Sequence, residues 1–276
     1  MASYDYTEAL SDERSGFCFD NFKRNELVCM RGVKMPPTRK TGTTICGLIC
    51  GGSVVLAADT RATEGPIVAD KNCEKLHKIA DNIFCAGAGT SADLEHTTDQ
   101  MRANMELHRL ATGKQPRVAT VLSRLSDLLF RHQGHIGCAL VLGGVDVAGP
   151  HLYKIHPHGS TDRMPFCAMG SGSLNAMSVL ERRYRDGLTV DEGKTLAADA
   201  IRSGIFNDLG SGSNVDVMVI SGTSHGVSTE YLRNYDVANP RLFRNPQPVV
   251  FQSGTTAILR EKVEAIKSRV IVEEVQ

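Results

Sequence analysis

Residues 39–47 read R-K-T-G-T-T-I-C-G: two adjacent threonines behind a lone glycine, where a polar leader gives way to hydrophobic sequence. A tight turn is one reading of Gly42-Thr43-Thr44. A cleavage site that exposes a new N-terminal threonine is the other. The leader, 1–42, shows no sustained periodicity apart from the alternation at Phe17, Cys18 and Phe19 and a nearby Phe22. It closes on M-P-P-T-R-K-T-G, in which two prolines oppose helix and the glycine permits unusual backbone angles. We read it as a removable or extended segment, not a domain. The triplet G-T-T occurs again at 254–256, but only 22 residues run from Thr255 to the end, too few for a fold. From Thr43 onward 234 residues remain, so only the first copy can expose a useful terminus.

Regular structure is expected to begin abruptly behind that terminus. The runs 43–50 and 53–60 are rich in β-formers and are separated by Gly51-Gly52, a two-residue hairpin signal. Further strands are expected over 75–79 and 82–88. A helix follows over 90–112, stopped by Gly113, and a second carries Val118, Val121, Leu122, Leu125, Leu128 and Leu129 at helical spacing. Strands return at 138–145, 151–156 and 165–169, then helices at about 173–185 and 189–208. The last of these opens on the capping box Thr189-x-x-Glu192, with Leu196, Ala200, Ile201 and Ile205 on its apolar face. A strand over 215–221 and a Pro-containing tail close the chain. Strands and helices in segregated runs predict an α+β fold with helix layers on antiparallel sheets, not a βαβ parallel sheet.

Composition narrows the function classes. The chain has 276 residues, 41% of them hydrophobic and 22% charged, enough for a substantial core. Lys+Arg and Asp+Glu number 31 each, so bulk charge favours neither nucleic acid nor an anionic membrane. No apolar run reaches the roughly 18 residues that a membrane span needs. The acidic start lacks the features of a secretory signal. Eight cysteines form no C-x-x-C pair, and those at 46, 50, 85, 138 and 167 sit in strand-like apolar stretches, as small buried hydrophobes do. Neither a disulfide framework nor a zinc site is expected, and a reducing cytosolic or nuclear setting fits.

Three chemistries compete. Gly87-Ala88-Gly89-Thr90-Ser91-Ala92 matches G-x-G-x-x-[G/A] between a strand and a helix, but a second helix follows and no acidic residue closes a following strand at about 20 residues on, where a ribose ligand belongs. A Ser-His-Asp hydrolase lacks its G-x-S-x-G elbow, and no metal motif such as H-E-x-x-H is present. An N-terminal threonine needs neither. Its hydroxyl attacks and its own α-amine, with a pKa of about 7.7–8.0, serves as base. Such chemistry requires removal of everything upstream, and the leader supplies something to remove. The glycine before the threonine would let the hydroxyl approach the preceding carbonyl.

From Thr43 the blocks TTICG, LAADTRATEG, DKNCEKLH and GAGTSAD resemble the catalytic beta subunits of the 20S proteasome. The likeness continues through FRHQGHIGCALVLGGVDVAGPHLY, HPHGSTDRMPF, MGSGS and IFNDLGSGSNVD, and the leader phrase GFCFDNFKRN is similar to leaders of one class. Several blocks resemble the beta type 2 class, which carries the trypsin-like site. The resemblance implies a four-layer αββα sandwich of two antiparallel sheets, the N-terminal-nucleophile hydrolase fold. It implies a propeptide over 1–42, a hydrolase domain over 43–221 and a C-terminal arm over 222–276 that contacts a neighbouring subunit.

Carried onto this sequence, the resemblance makes Thr43 the nucleophile, released by autocatalytic cleavage of Gly42–Thr43. It sets Lys75 beside the threonine hydroxyl, Asp59 as partner of that lysine, and Arg61 in the same supporting turn. Ser171, Asp208 and Ser211 fall around the α-amine, and Gly89 falls where a backbone N–H forms the oxyanion hole. Ala62, Cys73, His77, Gly87 and Glu95 fall where the family shapes its S1 pocket. Glu95 would put a carboxylate opposite an Arg or Lys side chain, giving cleavage after basic residues. Read without the family, Asp59–Lys75 is equally an ordinary ion pair, the serines turn residues and Glu95 a solvated helix residue. The partners implied are the other alpha and beta subunits, in a four-ring, twenty-eight-subunit barrel, and unfolded polypeptide substrates. No cofactor, metal, nucleic acid or membrane is expected, and residence is expected in cytoplasm and nucleus. A non-catalytic beta-ring subunit serving assembly only is the alternative.

Overall fold

In a computed structural model, which describes residues 20–32, 40–223, 226–240, 254 and 260–264, the chain enters its first sheet at Thr44. Strands β1 (Thr44–Cys50) and β2 (Ser53–Asp59) form a hairpin whose last pair, Cys50 and Ser53, flanks Gly51 and Gly52. Both glycines have positive φ, 52° and 74°, the handedness that a two-residue turn between twisted strands requires. A small ribbon, β3 (Ala62–Glu64) and β4 (Ile67–Asp70), is followed by β5 (Leu76–Ala80) and β6 (Ile83–Gly89). Helices α2 (Ser91–Thr112) and α3 (Val118–Arg131) come next, then β7 (Cys138–Asp146), β8 (Gly149–Ile155), β9 (Thr161–Arg163) and β10 (Phe166–Gly170). Helices α4 (Ser173–Arg183) and α5 (Val190–Asn207) precede β11 (Asn214–Thr223) and β12 (Gly226–Val237). Ahead of all these lies α1 (Asp20–Met30).

The strands assemble into two five-stranded antiparallel sheets, ordered β10-β1-β2-β11-β12 and β5-β6-β7-β8-β9. Three apolar clusters divide the space around them. Ile45, Val54, Leu56 and Met218 of the first sheet meet Phe84, Val141 and Leu152 of the second between the sheets. On the outer face of the first sheet, Cys46, Leu48, Val55 and Val217 pack against Leu180 of α4 and Leu196 and Ile201 of α5. On the outer face of the second, Cys85, Leu140 and Leu142 pack against Leu94 and Met101 of α2 and Val121 and Leu125 of α3. Side chains alternate faces along a strand. β1 and β2 therefore read as unbroken apolar runs because both of their faces are covered. The result is the αββα layering and the α+β class expected from the sequence.

Local signals account for the helix ends. Gly113 caps α2 in the left-handed region at φ 68°, its N–H bonded to the Arg109 carbonyl. Thr189 and Glu192 form a reciprocal capping box at the start of α5. Cys46, Cys50, Cys85, Cys138 and Cys167 are all buried in the apolar clusters.

Five elements differ from the sequence reading. The leader carries helix α1, built from a segment whose Phe22, Leu27 and Met30 make no regular apolar stripe. The three-residue strands β3 and β9 and the four-residue, exposed β4 are too short to show an alternation. The tail expected after 221 begins instead with β12, an edge strand paired to β11 from Gly226 to Val237. Most of its residues are exposed or half-buried, so its hydrophobic signal is weak. β12 falls within a compact unit ending at Asn239, and residues from Pro240 form a unit of their own. The Phe17–Phe19 alternation, the paired prolines and Thr255-Thr256 lie outside the described residues, as does most of the expected arm.

The closeness of the two sheets rests partly on Gly47, where an added Cβ would stand 2.8 Å from both Leu152 Cδ1 and Leu56 Cδ2. Gly47→Val should therefore overpack the inter-sheet core and cost about 1–3 kcal/mol, read as a lowered urea midpoint of the full chain.

Candidate active site

Asp59, the last residue of β2, is wholly buried and collects four donors. Its Oδ1 accepts from the Thr44 N–H at 2.9 Å and from Lys75 Nζ at 2.7 Å. Its Oδ2 accepts from the N–H groups of Gly212 at 3.1 Å and Arg61 at 3.3 Å. Burial pushes the Asp59 carboxyl upward, while the Lys75 charge and the Thr44 and Gly212 amides pull it back. Every recorded partner is a donor, so the setting is complementary to the ionised form.

Lys75 reaches in from just before β5 and is nearly as deeply buried. Beyond Asp59, its Nζ donates to Thr43 Oγ1 at 3.1 Å and to the Gly42 carbonyl at 3.2 Å. An ammonium has three N–H donors and no acceptor, and all three are used. Thr43, only 2% exposed, donates its own hydroxyl to the same Gly42 carbonyl at 2.7 Å. The Asp59–Lys75 pair is thus aimed at one hydroxyl and at the carbonyl before it.

The last residues of the leader, Lys40, Thr41 and Gly42, lie against this site. Gly42 N–H donates to Thr63 Oγ1 at 3.0 Å, and the Thr41 N–H and hydroxyl both donate to the Gly89 carbonyl at 3.2 Å. Gly89 was expected to act through its N–H; its recorded contact with the leader runs through its carbonyl. It must be glycine, since at φ 135° a Cβ would stand 2.1 Å from the Gly137 carbonyl oxygen. Gly42 is glycine for a different reason from the one the sequence suggested. A Cβ there would lie 2.3 Å from Gly210 Cα, so the backbone of the 208–212 loop leaves no room for a side chain.

On the nitrogen side of Thr43, its N–H donates to Ser171 Oγ at 3.1 Å. Ser171 and Ser211 each donate to Asp208 Oδ2 at 2.6 Å, and Gly210 N–H donates to Oδ1 at 3.1 Å. Burial works against the Asp208 charge, but the hydrogen bonds from Ser171, Ser211 and Gly210 outweigh it and hold the carboxyl below its ordinary range. Arg61 ties the same loop to β2 by donating from Nη1 to the Leu209 carbonyl at 3.1 Å. The sequence reading gave Thr44 no role at the site. Its Oγ1 lies 2.7 Å from Ser211 Oγ, and the doubled threonine was the available signal.

Ala62, Cys73, His77, Gly87 and Glu95 all line one cavity of about 320 Å³ that opens beside Thr43. Glu74 and Asp99 line it as well, Asp99 one turn beyond Glu95 on α2; sequence reading named neither. Burial pushes the His77 imidazole down against the opposing pull of Asp99, Glu95 and Glu74. At neutral pH it is therefore uncharged and leaves the carboxylates' field uncancelled. Gly87 keeps the wall low, where a Cβ would come within 2.9 Å of Leu94 Cδ2.

The strand missed in the sequence anchors this wall. Arg233 of β12 donates to the buried Asp216 carboxylate at 2.8 Å and to the Asn72 carbonyl at 2.9 Å, and stands 3.5 Å from Glu74. Asp216 is held in turn by the Asn234 N–H at 2.8 Å and the Tyr231 hydroxyl at 3.3 Å. One guanidinium thereby spans from the sheet to the segment carrying Cys73 and Lys75.

A family model described as "Proteasome subunit" matches residues 39–220. Proteasome subunit beta type-7 of Dictyostelium discoideum is 54% identical over 262 residues, covering 95% of this chain and 97% of its own. Proteasome subunit beta type-2 of Saccharomyces cerevisiae is 50% identical over 249 residues, 90% of this chain and 94% of its own. Proteasome subunit beta type-10 of Mus musculus is 46% identical over 270 residues, 95% and 94% respectively.

Arg233→Ala strands the buried Asp216 carboxylate and should destabilise the full chain by about 2 kcal/mol, with faster amide exchange confined to 70–76. Arg233→Lys should recover part of the stability, read from urea midpoints, but not the exchange protection at Asn72.

Proposed function

Because this chain belongs to the proteasome subunit family, as a catalytic, trypsin-like threonine endopeptidase of its beta type-2, type-7 and type-10 class, we propose that Thr43 is its nucleophile, unmasked by cleavage of Gly42–Thr43. The observation that carries this reading is the convergence of Lys75 Nζ on both Thr43 Oγ1 and the Gly42 carbonyl, with Asp59 behind it.

Maturation follows from that geometry. Thr43 Oγ attacks the Gly42 carbonyl carbon and the C–N bond breaks. The hydroxyl proton passes to the departing nitrogen, which becomes the α-amine. The Lys75 ammonium stabilises the oxygen on which negative charge develops. Water then hydrolyses the resulting ester, freeing Gly42 as a carboxylate and restoring the hydroxyl. In turnover the free amine, donating to Ser171, accepts the Thr43 hydroxyl proton and passes it to the leaving amine of the substrate. The Gly89 N–H is assigned to the oxyanion, and water resolves the acyl-enzyme.

The cavity beside Thr43 takes the side chain before the cut bond. Glu95, with Glu74 and Asp99, gives it the charge to hold Arg or Lys, with His77 neutral. The chain assembles with other proteasome subunits. We assign it to a four-ring barrel in cytoplasm and nucleus, with residues beyond the hydrolase domain contacting a neighbour. Among the described residues no helix is long and apolar enough to cross a membrane.

Intact mass of the subunit from purified particles should lack residues 1–42, and Thr43→Ala should retain them and lose Arg-P1 cleavage by at least about a thousandfold. A leader retained in active wild-type particles refutes the reading. Glu95→Gln should lower kcat/KM for Arg-P1 peptides about tenfold while leaving leader removal intact.

A further inference from the structure

The direction of each proton around Asp208 can be deduced. A carboxylate only accepts and lies 2.6 Å from both serines, whereas the Thr43 carbonyl is 3.3 Å from Ser171 Oγ, so Ser171 and Ser211 both spend their single hydroxyl proton on Oδ2. Ser211 Oγ can therefore face Thr44 only as an acceptor, and the 2.7 Å contact between them runs from the Thr44 hydroxyl. Thr44 and Ser211 are both fully buried, so water does not substitute for either. The threonine hydroxyl sits in a niche cut to its size. A Cβ on Gly172 would stand 1.9 Å from Oγ1, and one on Gly204 2.3 Å from it. The same residue donates its N–H to Asp59. Thr44 is thus joined through its backbone to the carboxylate on the lysine side of Thr43, and through its side chain to the carboxylate on the nitrogen side.

We propose that Thr44 is a positioning residue: by donating to Ser211 it orients the Asp208–Ser171 pair on the Thr43 nitrogen, and so sets the pH range in which the free amine works as a base. The inference rests on Thr43 being the nucleophile. Without the Thr44 hydroxyl, Ser211 donates more weakly to Asp208, because hydrogen bonds in a chain polarise one another. The carboxylate then accepts more strongly from Ser171. Ser171 Oγ in turn accepts more strongly from the amine, which favours the ammonium and raises its pKa. The charged groups around that nitrogen are Asp59 at the end of β2, Lys75 before β5, Asp208 after α5 and Arg61 against the 208–212 loop; a change at Thr44 leaves all four in place.

The test compares purified particles carrying Thr44→Val, Thr44→Ala or Thr44→Ser, with kcat/KM for an Arg-P1 peptide followed from pH 5.5 to 9. Valine and alanine both lack the hydroxyl but differ in volume. They should share an acid limb moved up by about half a unit, and with it a loss of up to about threefold on the acid side of that limb. Serine keeps the donor and should follow the wild-type profile. In a Ser211→Ala background, Thr44→Val should move the acid limb no further. If valine prevents assembly, the alanine and serine pair answers the question. An acid limb unmoved in the hydroxyl-free variants, or moved equally in the serine variant, overturns the proposal. So does a shift that persists in full without Ser211. Failure of the nucleophile assignment shows separately, as wild-type particles that keep the leader or stay active with Thr43→Ala.

Discussion

Four segments meet on the two oxygens of Asp59, one adjoining it in sequence and three brought in by the fold. The start of β1, the turn after β2, the loop after α5 and the approach to β5 each bring one donor. A buried carboxylate without partners would cost several kcal/mol or take up a proton. The fold therefore cannot bury Asp59 without bringing Thr44, Arg61, Gly212 and Lys75 to it. Placing Thr44 places Thr43, placing Lys75 directs an ammonium at the threonine hydroxyl, and placing Gly212 draws in the loop that carries Asp208 and Ser211. Stability and site geometry are here the same set of hydrogen bonds.

The sandwich explains why this convergence falls at the end of the sheets. Thr44 pairs with Gly170 at the start of β1, Asp59 closes β2 opposite Val215, and Gly89 ends β6 opposite Cys138. Apolar side chains fill both faces of these strands, so the polar groups of the site gather where the strands end. The helices contribute rigidity from outside. Gly204 of α5 presses on the Thr44 side chain, and Leu94 of α2 presses toward Gly87.

How much of this is legible in the sequence follows from which interactions are local. The strands β1 and β2, the Gly51-Gly52 turn, the Gly113 stop and the Thr189–Glu192 box each depend on neighbours in the chain, and each is where the sequence points. The strand β12 is not legible, because an edge strand with one weakly apolar face has little pattern to read. The proposed catalytic set is spread over residues 43 to 211, so periodicity alone could not join Lys75 to Thr43; the family resemblance did. What no motif conveyed is steric. Gly42 looked like a glycine of conformational freedom, whereas it answers to the backbone of Gly210, 168 residues further on. Thr44 looked redundant beside Thr43, because its partner Ser211 is likewise remote.

The contact of Gly42 with Gly210 also bears on how such a site diversifies. The bond that precedes Thr43 carries no side chain, so nothing from the leader's last residue enters the cavity lined by Cys73, His77 and Glu95. Under the proposed cleavage, the residue before the cut bond makes no demand on that cavity, although Thr41 of the leader lines it. On that reading, substitutions along the wall can change which peptides are degraded without a matching change at Gly42. A single steric restriction against any side chain thereby separates selection on activation from selection on diet.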